Sequence, residues 1–245
     1  MPSSFNDYRK LIEQPWGKMF YDALFRQLDL PEDHPLNILD FGAGFCVTAS
    51  HYAPFHHVIA IEPNKEMLDL RWRDNCSKYT CIQGGIEEVR KQNIAAFDLV
   101  ICHNVLEYVP DKEQILTELT SVLKQGGRLS IVKHNLAGRI LAYSVFSDDP
   151  EAALGLLEDS NNENSMFGKR DTYSNDYLIK QVSKRGLSLE DNFGLRTFFG
   201  LSSNNDIKYT KKWYDNMLAL EMKTCNLQEY KNIAFFNHLI FRKIT

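Results

Sequence analysis

The chain has 245 residues, is 44% hydrophobic and carries a formal net charge of −4. That size supports one substantial core, a single domain with an elaboration. No apolar run reaches 18 residues, and the N-terminus (MPSSFNDYRK) has no apolar signal core, so a soluble, cytoplasmic protein with no membrane partner is expected. The five cysteines, Cys46, Cys76, Cys81, Cys102 and Cys225, are odd in number and form no CxxC pair, which argues against a disulfide framework and against a metal site. Charge is unevenly placed. Residues 1–164 hold 15 Lys+Arg against 24 Asp+Glu, whereas residues 165–245 hold 13 against 8. A basic C-terminal part suits either a polyanionic partner or a plain solvated surface.

Trp16, Phe20, Ala23, Leu24 and Leu28 recur at helical spacing after Pro15 and predict an amphipathic helix over about 16–28. Placed before the first strand, it can lie across a ligand cleft as a lid, with Pro31 to Pro35 as the linker. The stretch Asn37-Ile38-Leu39-Asp40-Phe41-Gly42-Ala43-Gly44-Phe45 then organises the chain. An apolar run ends in a carboxylate and in two glycines one residue apart, the pattern of a parallel strand turning into a helix N-terminus. Twenty residues after Gly42, Val58-Ile59-Ala60-Ile61 delivers Glu62 to the tip of the next strand, where a carboxylate can accept ribose hydroxyls.

These features point to a nucleoside ligand without a pyrophosphate. A dinucleotide loop would carry a third glycine where Val47 stands, and Asp40 would repel phosphate. The same carboxylate suits a cationic cofactor, and S-adenosylmethionine has a sulfonium, an ammonium and a ribose but no phosphate.

Further along, residues 46–53 read as a helix stopped by Pro54. Pro63-Asn64 opens another that is expected to run to about Asn75. Cys81-Ile82-Gln83 is a short third strand followed by the turn Gly84-Gly85-Ile86. Phe97–Cys102 is a buried strand that brings His103 to its C-terminal edge, where open α/β sheets bind ligands. Residues 134–168 mix polar and small types, with Ser160–Ser165 loop-like, and predict an insertion. A helix over Tyr173–Arg185 follows, then strand at Leu187–Leu189 and Asn192–Phe198, a helix over about Ile207–Cys225, and a closing strand over Phe235–Lys243. The sum is an α/β chain of seven strands with intervening helices.

LDFGAGFC with Glu62, and FDLVICHNVLEYVPD followed by LTELTSVLKQGGRLSIV, resemble the class I S-adenosylmethionine-dependent methyltransferases. The resemblance implies a Rossmann-like seven-stranded sheet, mostly parallel with the last strand antiparallel. It implies an N-terminal helical lid over 1–35, a catalytic domain over 36–245 and an insertion at about 134–185. It places the cofactor against Asp40, Gly42, Ala43, Gly44 and Glu62, its adenine near Gly85 and Ile86, and its methionine half near His103 and Lys18.

Lys133-His134-Asn135, Gly194–Phe199 and Phe236–Ile240 further resemble the bacterial tRNA 5-carboxymethoxyuridine methyltransferases. That resemblance makes Arg196 the grip on a substrate carboxylate and, with His103, a catalytic candidate. The chain departs from the pattern at Cys46, which stands for a loop glycine, at Lys18, which stands for an arginine, and at Lys169-Arg170, which is all that remains of a lysine-rich insert. A carboxylate acceptor is ionised at neutral pH and needs a cation rather than a base, in keeping with the absence of an Asp/Glu–His pair or an NPPY-like motif after the fourth strand. Two other readings compete: a methyltransferase acting on a small metabolite, and a non-catalytic domain that binds a nucleoside and regulates a partner.

Overall fold

The computed structural model describes residues 4–93, 95–159, 164–165 and 167–244. Its strands are β1 (Asn37–Phe41), β2 (His57–Glu62), β3 (Thr80–Gln83), β4 (Phe97–His103), β5 (Leu123–His134), β6 (Asn164–Ser165), β7 (Gly168–Lys169), β8 (Leu187–Leu195) and β9 (Phe236–Lys243). Seven of them form one sheet in the order β3-β2-β1-β4-β5-β9-β8, while β6 and β7 pair as a separate antiparallel hairpin. The α-helices of five residues or more are α1 (Phe5–Ile12), α2 (Pro15–Leu28), α3 (Val47–Tyr52), α4 (Lys65–Asp69), α5 (Ile86–Arg90), α6 (Lys112–Ser121), α7 (Leu136–Leu141), α8 (Pro150–Glu158), α9 (Asn175–Ser183) and α10 (Lys211–Thr224).

The structure divides into two compact units. The first is drawn from the described residues of Met1–Asp29, Val132–Thr172 and Asn192–His238, and the second from those of Leu30–Ile131, Tyr173–Asp191 and Leu239–Thr245.

In the second unit, β1 runs parallel to β2 and β4, so Asp40 lies in register with Ala60 and Ile101, and Glu62 with Gln83 of β3. These near-continuous apolar strands are covered on both faces, the usual condition of a parallel sheet. Leu39, Ile61, Val100, Leu116, Leu119, Ile131, Leu178 and Phe241 belong to its buried core. The strand tips are tied directly: the N–H groups of Gly42 and Ala43 donate to the Ile61 carbonyl at 2.8 and 3.0 Å.

In the first unit, α2 buries Met19, Phe20, Ala23, Leu24 and Leu28 and packs against α1 and α10. Pro15 opens α2 at a position where no N–H is missed. Buried Gln27 donates to the Gly194 carbonyl at 2.9 Å and contacts His238 Nδ1 at 2.9 Å, so its buried amide is satisfied. α7 runs into a π-helical turn over Ala142–Phe146, a local widening that often accompanies function.

Local differences from the sequence reading have physical causes. The helix expected to run from Pro63 to Asn75 is only α4, because Trp72 N–H leaves the helix to donate to the Phe45 carbonyl. The two strand pieces near residues 187–198 are one strand, β8, that ends where Arg196 turns left-handed at φ 61°. Helix α1, capped by the Ser4 side chain, is an addition to the sequence reading, although Phe5, Tyr8, Leu11 and Ile12 fall at helical spacing. Of the loop-like run Ser160–Ser165, residues 160–163 lie outside the described residues, and Asn164–Ser165 form β6.

Candidate active site

The second unit carries the glycine turn. Gly42 (φ 73°) and Gly44 (φ 56°) both take left-handed backbone. A Cβ on Gly42 would stand 2.2 Å from Val105 Cγ2, so neither conformation nor space admits a side chain there. Glu62 fixes the loop: its Oε2 accepts from Gly44 N–H and its Oε1 from Asn64 N–H, both at 2.8 Å. Each oxygen retains a second lone pair for a ligand hydroxyl. Burial raises the Glu62 pKa, and these two N–H groups oppose the rise.

Asp40 is the informative residue. It is 4% exposed, and its Oδ2 has no hydrogen-bond partner. Burial, then the Glu62 charge, push its pKa up to about 7 despite a hydrogen bond from the Ala49 N–H. A buried carboxylate left half-satisfied is costly, and a cationic ligand with N–H donors would satisfy it. The orphan oxygen and the cleared glycine turn therefore fit S-adenosylmethionine, with Asp40, Gly42, Ala43, Gly44 and Glu62 as the residues that would hold it.

Two more candidates lie at neighbouring strand tips. Gly85, the N-cap of α5, donates its N–H to Glu87 Oε1 at 2.7 Å, and Ile86 packs on the core. The preceding residue, Gly84, donates to the Glu62 carbonyl at 3.1 Å, which ties this turn to the acid. His103 ends β4 with Nε2 at 2.7 Å from Ser130 Oγ, and Asn104 beyond it takes φ 55°. Cys46, which replaces a loop glycine, keeps the left-handed conformation (φ 57°), with its Sγ 4.0 Å from that of Cys81.

Lys18 and Arg196 belong to the first unit. Lys18 is more than half exposed, bonds Asp22 one helical turn away, and stands 4.5 Å from the Tyr214 ring centre. Tyr214 in turn donates to Asp22 Oδ2 at 2.8 Å.

Arg196 is half-buried. Its Cζ lies 5.3 Å from the Trp16 ring centre, 5.7 Å from Phe199, 5.5 Å from Phe235 and 5.9 Å from Phe236. Burial pushes its pKa down to about 10, partly offset by the Glu221 carboxylate. Its Nε has no hydrogen-bond partner. Nor can Glu221 serve as a close fork for it, since that carboxylate accepts the N–H groups of Thr197, Phe198 and Phe199, each at 2.8 Å.

Arg196 faces a cavity of about 670 Å³, within the range of small-ligand sites. Arg139, Arg170 and Lys208 also line it, and no carboxylate does among the described residues. Trp16, Phe146, Phe199 and Phe235 supply aromatic walls. Of the cavity's cations, the sequence reading gives Arg196 a role and marks Arg170 in the pair Lys169-Arg170. Lys208 and Arg139 escaped it because nothing local marks them. The only hints were the positive surplus after residue 164 and Trp16 next to Gly17-Lys18.

A methyltransferase-domain family model matches residues 39–131. An S-adenosylmethionine-dependent methyltransferase of Thermotoga maritima superimposes with a TM-score of 0.62 at 16% identity, covering 97% of this chain and 95% of that one. One from Mesorhizobium loti does so with a TM-score of 0.59 at 16% identity, covering 91% and 97%. The methyltransferase domain over residues 39–131, the glycine turn and the shared fold support a class I S-adenosylmethionine-dependent methyltransferase. Among curated relatives, it is 26% identical to the tRNA 5-carboxymethoxyuridine methyltransferase of Escherichia coli K12, over 93% of this chain and 89% of that protein. It is 32% identical to the ubiquinone biosynthesis O-methyltransferase of Vibrio atlanticus, but over only 38% of this chain and 40% of that protein. No helix among the described residues is long and apolar enough to cross a membrane.

Proposed function

We propose that the chain O-methylates the carboxylate of a 5-carboxymethoxyuridine at the wobble position of tRNA. The observation that carries this reading is the half-buried Arg196 in an aromatic-walled cavity lined by three further cations and, among the described residues, no acid. Such a site is costly to keep in an apolar interior and is relieved by an anion. Arg presents a planar fork that matches a carboxylate with two parallel hydrogen bonds, and aromatic walls can stack on a base. The match to the Escherichia coli enzyme over most of both chains supports the same acceptor.

Bound S-adenosylmethionine would supply an electrophilic methyl group on a sulfonium. For their part, Asp40 and Glu62 bind and orient the cofactor through its cationic and ribose groups, with Gly42 and Gly44 giving backbone access. Arg196 holds the acceptor carboxylate in its ionised form, so no residue has to remove a proton. His103, fixed by Ser130, positions the methionine half. Much of the rate then comes from alignment and from exclusion of water.

The test is mass spectrometry of tRNA nucleosides from a strain lacking the protein, paired with methylation of that tRNA by the purified protein. The expected result is accumulation of the free acid and its conversion to the methyl ester. Unchanged nucleosides together with no methylation in vitro would overturn the assignment in favour of a small-metabolite acceptor.

A further inference from the structure

The Arg196 cavity contains a second cation that a carboxylate on Arg196 does not account for. Lys208 is only 7% exposed, yet it lines the cavity. Its Nζ donates to the Ser202 carbonyl at 2.7 Å and to Asn205 Oδ1 at 2.9 Å. An ammonium has three donors, so one remains. The same Nζ stands 5.1 Å from the Phe146 ring centre and 5.0 Å from the Phe199 ring centre. Phe199 is also 5.7 Å from the Arg196 guanidinium, so both positive charges stand against one ring. Burial, and then the charge of Arg196, lower the Lys208 pKa.

Tying the 202–205 loop does not require this arrangement. A neutral amide could supply the same two hydrogen bonds without placing a second cation beside the first in a poorly screened interior.

We infer that the cavity recognises its acceptor at two anionic points, the carboxylate on Arg196 and a phosphate of the same nucleotide on Lys208, with the base stacked on the aromatic wall between them. This inference rests on the acceptor proposed above and adds a specificity determinant to it: a nucleotide within a strand is preferred to the free nucleoside. A phosphate is favoured over a second carboxylate because Lys acts as a compact point charge, whereas Arg196 offers the fork.

Calorimetry with 5-carboxymethoxyuridine and its 5′-monophosphate, on wild type and Lys208→Met, tests the second point. The monophosphate should bind wild type at least tenfold more tightly than the nucleoside. Lys208→Met should remove that advantage and leave nucleoside affinity within twofold, while Lys208→Arg, which keeps the charge, should restore most of it. With tRNA as acceptor, Lys208→Met should raise KM at least tenfold and change kcat much less. Equal binding of the two probes by wild type, or an advantage that survives in Lys208→Met, would overturn the subsite. Methylation of tRNA by Lys208→Met at unchanged KM would also overturn it, with the proposed acceptor left standing. A wild type that shows the phosphate advantage, lost in Lys208→Met, but methylates no tRNA would keep the subsite and remove the acceptor.

Discussion

Glu221 holds Arg196 in place without pairing to it as a fork. Its carboxylate gathers the N–H groups of Thr197, Phe198 and Phe199, closing the turn that follows Arg196 and keeping that residue left-handed at φ 61°. A non-glycine residue in that region is strained by about 1–3 kcal/mol, strain of a kind often stored at functional sites. Glu221→Ala leaves three donors without an acceptor and should cost about 3 kcal/mol or more in a urea titration. Loss of less than 1 kcal/mol would mean that the turn does not depend on this carboxylate.

The Asp40 carboxyl makes both stability and cofactor affinity depend on pH. Its folded pKa, about 7, lies above the ordinary value of 3.8, so the native state holds a proton that the unfolded chain releases between these limits. Its contribution to stability is full below about pH 4 and is lost as pH rises to 7, on the order of 4 kcal/mol in all. Asp40→Asn should therefore flatten the fall in stability over that window. Binding a cationic cofactor requires the carboxylate, so S-adenosylmethionine affinity should fall about tenfold per unit below pH 7, with proton release on binding. Calorimetry at pH 6 in two buffers of different ionisation enthalpy would detect the proton. An affinity independent of pH between 5.5 and 7.5 would refute the role.

Glu62 has two duties that substitution can separate. As loop anchor it accepts the N–H groups of Gly44 and Asn64, and as ligand it offers its remaining lone pairs. Glu62→Gln keeps one acceptor oxygen and the side-chain volume; Glu62→Ala removes both functions. The alanine variant should weaken S-adenosylmethionine binding by about 1–3 kcal/mol and lower the melting temperature as well. The glutamine variant should fall between the two. Wild-type affinity in Glu62→Ala would rule out a ligand role for the acid.

What could be read from the sequence follows from what is local. The strand–glycine turn–helix passage at Asn37–Tyr52, the acid twenty residues beyond Gly42 and the buried strand before His103 are all set by nearest neighbours along the chain. The orphan oxygen of Asp40 was only implied by its place, since burial depends on strands distant in sequence. The Arg196 cavity was less visible still. Trp16, Arg139, Arg196, Lys208 and Phe235 come from five separate stretches, and each is unremarkable in its own window. Lys18 reads as a ligand cation from its place at the start of α2, and its own partners, Asp22 and the Tyr214 ring, are equally local or come from α10.

Arg196→Lys tests the carboxylate grip most directly. Lys keeps a positive charge and can enter the same left-handed backbone, but it cannot offer two coplanar N–H donors or the flat face that Trp16, Phe235 and Phe236 surround. With 5-carboxymethoxyuridine-containing tRNA, kcat/KM should fall at least 100-fold, about 2.7 kcal/mol of transition-state stabilisation. S-adenosylmethionine binding should stay within twofold, because Asp40, Glu62 and the glycine turn lie in the other unit. The melting temperature should drop by a few degrees, since the guanidinium packs among the Trp16, Phe199, Phe235 and Phe236 rings. Raising salt should weaken tRNA binding to wild type and variant with similar slopes, because the backbone phosphates are still neutralised by other cations. Equal turnover of Arg196→Lys and wild type at saturating cofactor would end the grip assignment, whatever the melting temperature did.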